Sequence, residues 1–113
     1  MNHAATTYVD VTIADGAATS SAANLSAGQT LVGLLFAAGV DNTAMTFTTS
    51  DSEGGTYVAV YDVGGASAYS ITVGASRYVP VKVDVFSGLR FVKLVGGGNE
   101  TGAQTVRLVI RNV

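Results

Sequence analysis

At 113 residues, with 48% hydrophobic and 12% charged side chains, the chain has the size and composition of one folded domain and not of a disordered segment. A net charge of −2 with scattered basic residues excludes the clustered Lys and Arg that attract nucleic acid or an anionic membrane. Cysteine is absent, which excludes disulfide staples, a thiolate nucleophile and thiolate metal ligands, so packing must hold the fold together.

The first residues, "MNHAATTYVDVTIADG", lack the basic start and unbroken apolar core of a secretory signal. The expectation is a product that is soluble when made, with residues 1–7 as a candidate extended arm. Within this stretch "YVDVTI" sets Val9, Val11 and Ile13 on one face and Tyr8, Asp10 and Thr12 on the other, the alternation of a strand with one wet side. Residues 17–26, "AATSSAANLS", are small and polar, which suits a loop or a weak helical turn. "TLVGLLFA" (30–37) is apolar on both faces and predicts a central strand. Even extended to Val40 it falls far short of the roughly 20 apolar residues of a membrane span.

"AMTFTTS" (44–50) offers Met45 and Phe47 inward with Thr46 and Thr48 outward, and "TYVAVYD" (56–62) alternates Tyr57, Ala59 and Tyr61 with Val58 and Val60. The glycine-bearing stretches "DSEGG" (51–55) and "DVGGAS" (62–67) predict hairpin reversals. "YSITV" (69–73) and "RYVPVKV" (77–83) follow. Pro80 cannot donate to a ladder and belongs on an edge or at a bulge. "VDVFSG" (83–88) predicts one turn of 3₁₀ helix. "LRFVKLV" (89–95) and "TVRLVIR" (105–111) complete about eight strands, the count expected of an all-β, antiparallel, two-sheet sandwich of jelly-roll type filling residues 1–113 as a single domain.

Between the last two strands stands "GGGNETGAQ" (96–104). A phosphate cradle needs a glycine loop that opens a helix, usually with a Lys behind it. Here a strand follows and no Lys is present, so the loop is expected to join two neighbouring strands as a hairpin. His3, the sole histidine, sits near the chain start, a poor base for a catalytic triad. The acids Asp41, Asp51, Glu53, Asp62, Asp84 and Glu100 fall mostly in expected loops. Asp51 and Glu53 could contribute to a calcium site, but without an EF-hand spacing, and spacing alone cannot show a carboxylate pair facing across a glycosidase cleft. Tyr57, Tyr61, Tyr69 and Tyr78 could stack on a sugar ring, but they fit core edges or subunit contacts better. Arg77, Arg90, Lys93, Arg107 and Arg111 fall partly outward, as charges that blunt sheet edges or meet acids on a partner. No catalytic, metal or cofactor-binding residue is assigned.

Three blocks of the chain resemble small phage virion structural proteins: "GQTLVGLLFAAGVDNTAMTFTTSDSEGGTYVAVYD", "SRYVPVKVDVFSGLRFVKLVGGG" and "QTVRLVIR". The matching positions are residues 30–33 in the first strand, 45–47 in the next, Tyr61 with Asp62, Arg77 with Tyr78, Phe86 with Gly88, and residues 90–94. The chain lacks the family's tryptophan before the second of these strands, and its prolines near Ala38 and at Val83. These signatures belong to a fold and carry no catalytic residues. What the resemblance implies is a non-enzymatic virion component on the capsid surface, a decoration or cement protein that binds the major capsid protein and works as a homo-oligomer, dimer or trimer, with no nucleic acid or membrane partner. A carbohydrate-binding module, or a fibre- or tail-associated adhesion protein on the particle, is the alternative.

Overall fold

A computed structural model describes residues 6–25 and 28–112. Nine strands and one helical turn follow in chain order: β1 (Thr6–Ile13), β2 (Ala23–Asn24), β3 (Gln29–Phe36), β4 (Ala44–Ser50), β5 (Val58–Ala59), β6 (Ile71–Thr72), β7 (Tyr78–Pro80), α1 (Val83–Phe86), β8 (Phe91–Gly96) and β9 (Gln104–Asn112). They form two antiparallel sheets, one ordered β1-β9-β3-β7 and the other β2-β8-β4-β5, with β6 also paired to β4. β5 meets Thr48 and Thr49 whereas β6 meets Ala44 and Met45, so the two short strands share one place beside β4.

The pairs are nested. β1 lies against β9, β2 against β8, β3 against β7, and β4 against β5 and β6. That is the ladder of one long hairpin, first half against second half, rolled so that alternate pairs fall in opposite sheets: the jelly roll. The expected all-β sandwich is therefore present.

Alternation explains why the roll closes. Val11 and Ile13 of β1, Val106, Leu108 and Ile110 of β9, and Leu31, Leu34 and Phe36 of β3 are buried, facing Met45, Phe47, Val92 and Leu94 of the other sheet in one apolar cluster. α1 closes the layer. Its Phe86 is fully buried, 4.8 Å from Phe47 at 84° and 5.8 Å from Tyr69 at 79° between ring centroids, the edge-to-face contact that opposed ring quadrupoles favour. The Tyr69 hydroxyl keeps its polarity satisfied by accepting the Lys82 N–H at 2.9 Å.

Four expectations need correction. Residues 17–25, expected as a loop or a weak helical turn, form no helical turn: Ser20 bridges Ile13, Thr19 bridges Val95, and β2 pairs with β8, so the segment carries the chain from one sheet to the other. Small side chains at Ser20 and Ala23 fit the crowded crossing, and the Ser20 hydroxyl accepts the Leu94 N–H at 2.9 Å. The turn at 83–86 is α-helical, because the Ser87 N–H reaches the Val83 carbonyl. The loop after β8 is not a hairpin, since β8 and β9 belong to different sheets. Thr6 and Thr7, assigned to an arm, pair with Arg111 and Ile110 in β1, and residues 1–5, including His3, lie outside the described residues. By contrast, the reversals at 51–55 and 62–67 fold β4 back on β5 and Tyr61 back on Ala68, and Pro80 lies on the edge strand β7.

Phe47 is 1% exposed at the centre of the aromatic trio. Replacing it with Ala is expected to cost about 3–5 kcal/mol, from lost transfer energy plus the cavity left behind. Urea denaturation followed by circular dichroism measures it.

Candidate functional site

The most elaborate polar arrangement lies where the loop after β8 crosses between the sheets. Glu100 is 1% exposed. One carboxylate oxygen accepts the Asp41 N–H at 2.8 Å, and the other accepts the Asn42 N–H at 3.2 Å and the Asn42 side-chain amide. Asn42 also donates to the Gly98 carbonyl at 3.0 Å and accepts the Gly98 N–H at 2.9 Å. Asp41 and Asp15 extend the clasp by accepting the N–H groups of Thr101 and Gly102, both at 2.8 Å. The backbone of Glu100 exchanges hydrogen bonds with Gly16 and Ala17. Through its side chain and its backbone together, this one residue ties the turn after β1 and the β3–β4 connection to the crossover.

This explains part of the glycine run. A Cβ on Gly96 would stand 2.5 Å from the Asn42 amide nitrogen, which the clasp holds in place. Glycine is needed there for close approach, and the loop's donors and acceptors serve this chain's own backbone. Sequence reasoning placed Glu100 among solvated loop acids, because a single acidic residue flanked by Asn99 and Thr101 carries no signal of burial.

Other candidates are dispersed. Tyr69 is in the core, Tyr57 donates its hydroxyl to the Glu53 carbonyl at 2.8 Å beneath the Lys93 ammonium, Tyr61 is exposed, and Tyr78 lies on the outer face of the β1-β9-β3-β7 sheet. Burial pushes the Tyr57 phenol up, and the Glu53 carboxylate adds to it. An open groove of ≈ 380 Å³ is lined by Thr49, Ser50, Asp51, Thr56, Val58, Gly88, Leu89 and Arg90, and one of ≈ 260 Å³ by Asp10, Leu35, Phe36, Ala37, Thr105 and Arg107. Neither contains a tyrosine, so the structure does not bring the aromatic candidates together in these grooves. Among the described residues no group of three or more His, Asp or Glu side chains gathers, and Asp51 and Glu53 have no third acid beside them. No helix among the described residues is long and apolar enough to cross a membrane.

Several basic side chains are engaged within the chain. Arg107 donates to Asp10 at 3.0 Å and stacks on Tyr8, Arg90 donates to Asn24 at 2.9 Å and lies over Phe91, and Lys82 pairs with Asp62 at 3.3 Å. The Arg107 hydrogen bond holds the Asp10 carboxyl below its ordinary value of 3.8. For Asp62 the Val63 N–H does most of the same work and Lys82 adds to it.

What sequence reasoning missed is a surface. Tyr8, Leu35 and Tyr78 are 56%, 38% and 47% exposed. Strand register places Asp10, Arg107, Leu35 and Tyr78 in one row across the outer face, with Tyr8, Val109, Gly33 and Pro80 in the next. The Tyr78 phenol lies over Gly33, where a side chain would collide with it. Alternation marked this face as the wet one but could not show that its apolar residues are neighbours.

No family model matches the chain, and no curated protein does. Among solved structures, the chain is similar to the SPBc2 prophage-derived protein YomS, 15% identical, over 99% of both chains at a TM-score of 0.52. It also matches a chain of the cyanophage Pam1 capsid asymmetric unit, 19% identical, over 97% of this chain and 84% of that one at 0.43. At such identity the first likeness shows a shared fold, and the second carries no argument.

Two predictions follow from the geometry. Glu100→Gln places an amide donor where backbone donors already point, so it is expected to cost about 1–3 kcal/mol, read from the urea midpoint. Asp10 and Asp62 have carboxyl pKa values depressed by folding, so their contribution is complete above about 4 and is lost as pH falls through the lower folded values. The denaturation midpoint is expected to stay flat from about pH 7 to 5 and decline below about 4, with a shallower acid limb in Asp10→Asn.

Proposed function

We propose that the protein is a non-enzymatic phage virion structural protein, a decoration or cement protein that binds the lattice of the major capsid protein on the particle surface. The observation that carries this reading is the end-to-end agreement of fold with a prophage-derived protein over 99% of both chains. It meets a sequence whose three blocks resemble phage virion proteins.

The physics of the molecule supports the same reading. The core is apolar throughout, apart from groups such as Glu100 and Ser20 that are spent on hydrogen bonds within the fold. The ion pairs Asp10–Arg107 and Asp62–Lys82 are exposed and mutual, so they neutralise surface charge and leave it weakly steered toward any charged ligand. What the fold presents to a neighbour is a broad sheet face bearing Tyr8, Leu35 and Tyr78. A protein that binds only the expanded shell stabilises that shell by mass action, and a lattice of repeated subunits multiplies each weak contact.

The test is co-sedimentation with expanded empty heads of the phage that encodes the protein, with unexpanded heads as the comparison. Saturable binding to expanded heads, with a rise in the temperature at which they rupture, is the expected result. Failure to bind expanded heads, together with recognition of defined sugars on a glycan array, would replace this reading with a carbohydrate-binding one.

A further inference from the structure

The sheet edges are unequal. β2, β5 and β6 are two residues each, and β7 is three residues ending in Pro80, so these edges are short or lack a donor. Natural sheets blunt their edges in these ways because a long open edge templates pairing with another chain. β1 is different: it is eight residues long, lies at the border of its sheet, and carries neither proline nor lysine.

The parity of its backbone groups is fixed by one contact. Thr12 accepts the Ser21 N–H at 2.9 Å and donates its own N–H to the Ser21 hydroxyl at 3.1 Å, so the backbone of Thr12 points away from β9. Groups repeat every second residue along a strand, and therefore those of Thr6, Tyr8 and Asp10 point the same way. Ser20 and Ser21 cover the end at Thr12 and Ile13. Among the described residues, no backbone partner meets the outward groups of Thr6, Tyr8 and Asp10.

From this edge we infer that β1 pairs antiparallel with β1 of a second copy, about a two-fold axis at Tyr8, joining two β1-β9-β3-β7 sheets into one continuous sheet. The register follows from the groups to be satisfied. With Tyr8 opposite Tyr8 and Thr6 opposite Asp10, every outward N–H and C=O of the three residues meets its mate. Centring on Asp10 would set two carboxylates face to face and drive the second copy's strand into Ser21, which already occupies the place beside Thr12, whereas centring on Tyr8 puts each carboxylate against a threonine. The self-complementarity of this register is what names a second copy as the occupant, because an isologous contact needs a patch that fits itself. The pairing also extends the exposed apolar face, since the outward Tyr8 rings meet across the axis beside Val109. It stands independently of any role on a capsid.

The full chain in solution tests it. Sedimentation equilibrium is expected to show a monomer–dimer equilibrium, weakened at least tenfold in Tyr8→Pro and in Tyr8→Lys. The proline removes an N–H that β9 does not use, and the lysine keeps the backbone intact should the proline disturb folding. In this cysteine-free chain, Tyr8→Cys is expected to form a disulfide-linked dimer under mild oxidation, because paired residues in this register stand about 5.5 Å apart at Cα. The same change at Thr48, on the opposite sheet, is expected to leave the chain uncrosslinked. A wild-type chain that stays monomeric up to about 1 mM, the range of millimolar dissociation constants, overturns the inference. So does a trimer, or a dimer that Tyr8→Lys leaves as tight as the wild type.

Discussion

The fold depends on one constraint: each sheet has one face that must be kept from water, and the other sheet, with α1, covers it. The side chains between them, from Val11, Ile13, Leu34, Val106 and Leu108 on one side and Met45, Phe47, Val92 and Leu94 on the other, satisfy that constraint, and Glu100 is the buried carboxylate among the described residues. Because the covering surface is supplied by strands distant in sequence, the chain has to pass repeatedly between layers. The crossings at 17–22, 37–43 and 97–103 are where polar side chains meet backbone groups. They are the points at which an apolar layer leaves the backbone without a ladder partner, and where unmet donors would be costly.

Glu100 answers that cost at the longest-range crossing. The N–H groups of Asp41 and Asn42 at the rim of the core converge on its carboxylate, while its backbone binds that of Gly16 and Ala17. Its own desolvation offsets part of what its hydrogen bonds contribute to stability. The acid is thus part of the scaffold, and what the fold exposes is the sheet face with Tyr8, Leu35 and Tyr78.

Much of the architecture was legible in the residues, and the reason is period two. Val11 with Ile13 and Met45 with Phe47 announce which side of each strand is dry, and Pro80 announces an edge. The same signal is silent on which sheet a strand joins, so the loop between β8 and β9 reads as a hairpin although it spans the sandwich. Weak segments escape for a different reason: "SSAAN" has no apolar rhythm because its buried positions are filled by Ser20 and Ala23, chosen for size. The surface was least legible of all. Tyr8, Leu35 and Tyr78 lie on three different strands, and only the register of β1, β9, β3 and β7 makes them one patch. The basic residues misled in the opposite sense, since Arg107, Arg90 and Lys93 are occupied by Asp10, Asn24 and Tyr57 within the chain.

On the proposed reading, this jelly roll works by the surface it presents to repeated neighbours. Cryo-electron microscopy of the intact phage particle tests it most directly. Sandwich-shaped density is expected on the outside of the shell, in contact with at least two major capsid subunits. Particles whose complete shell and tail are resolved with no such density would contradict it.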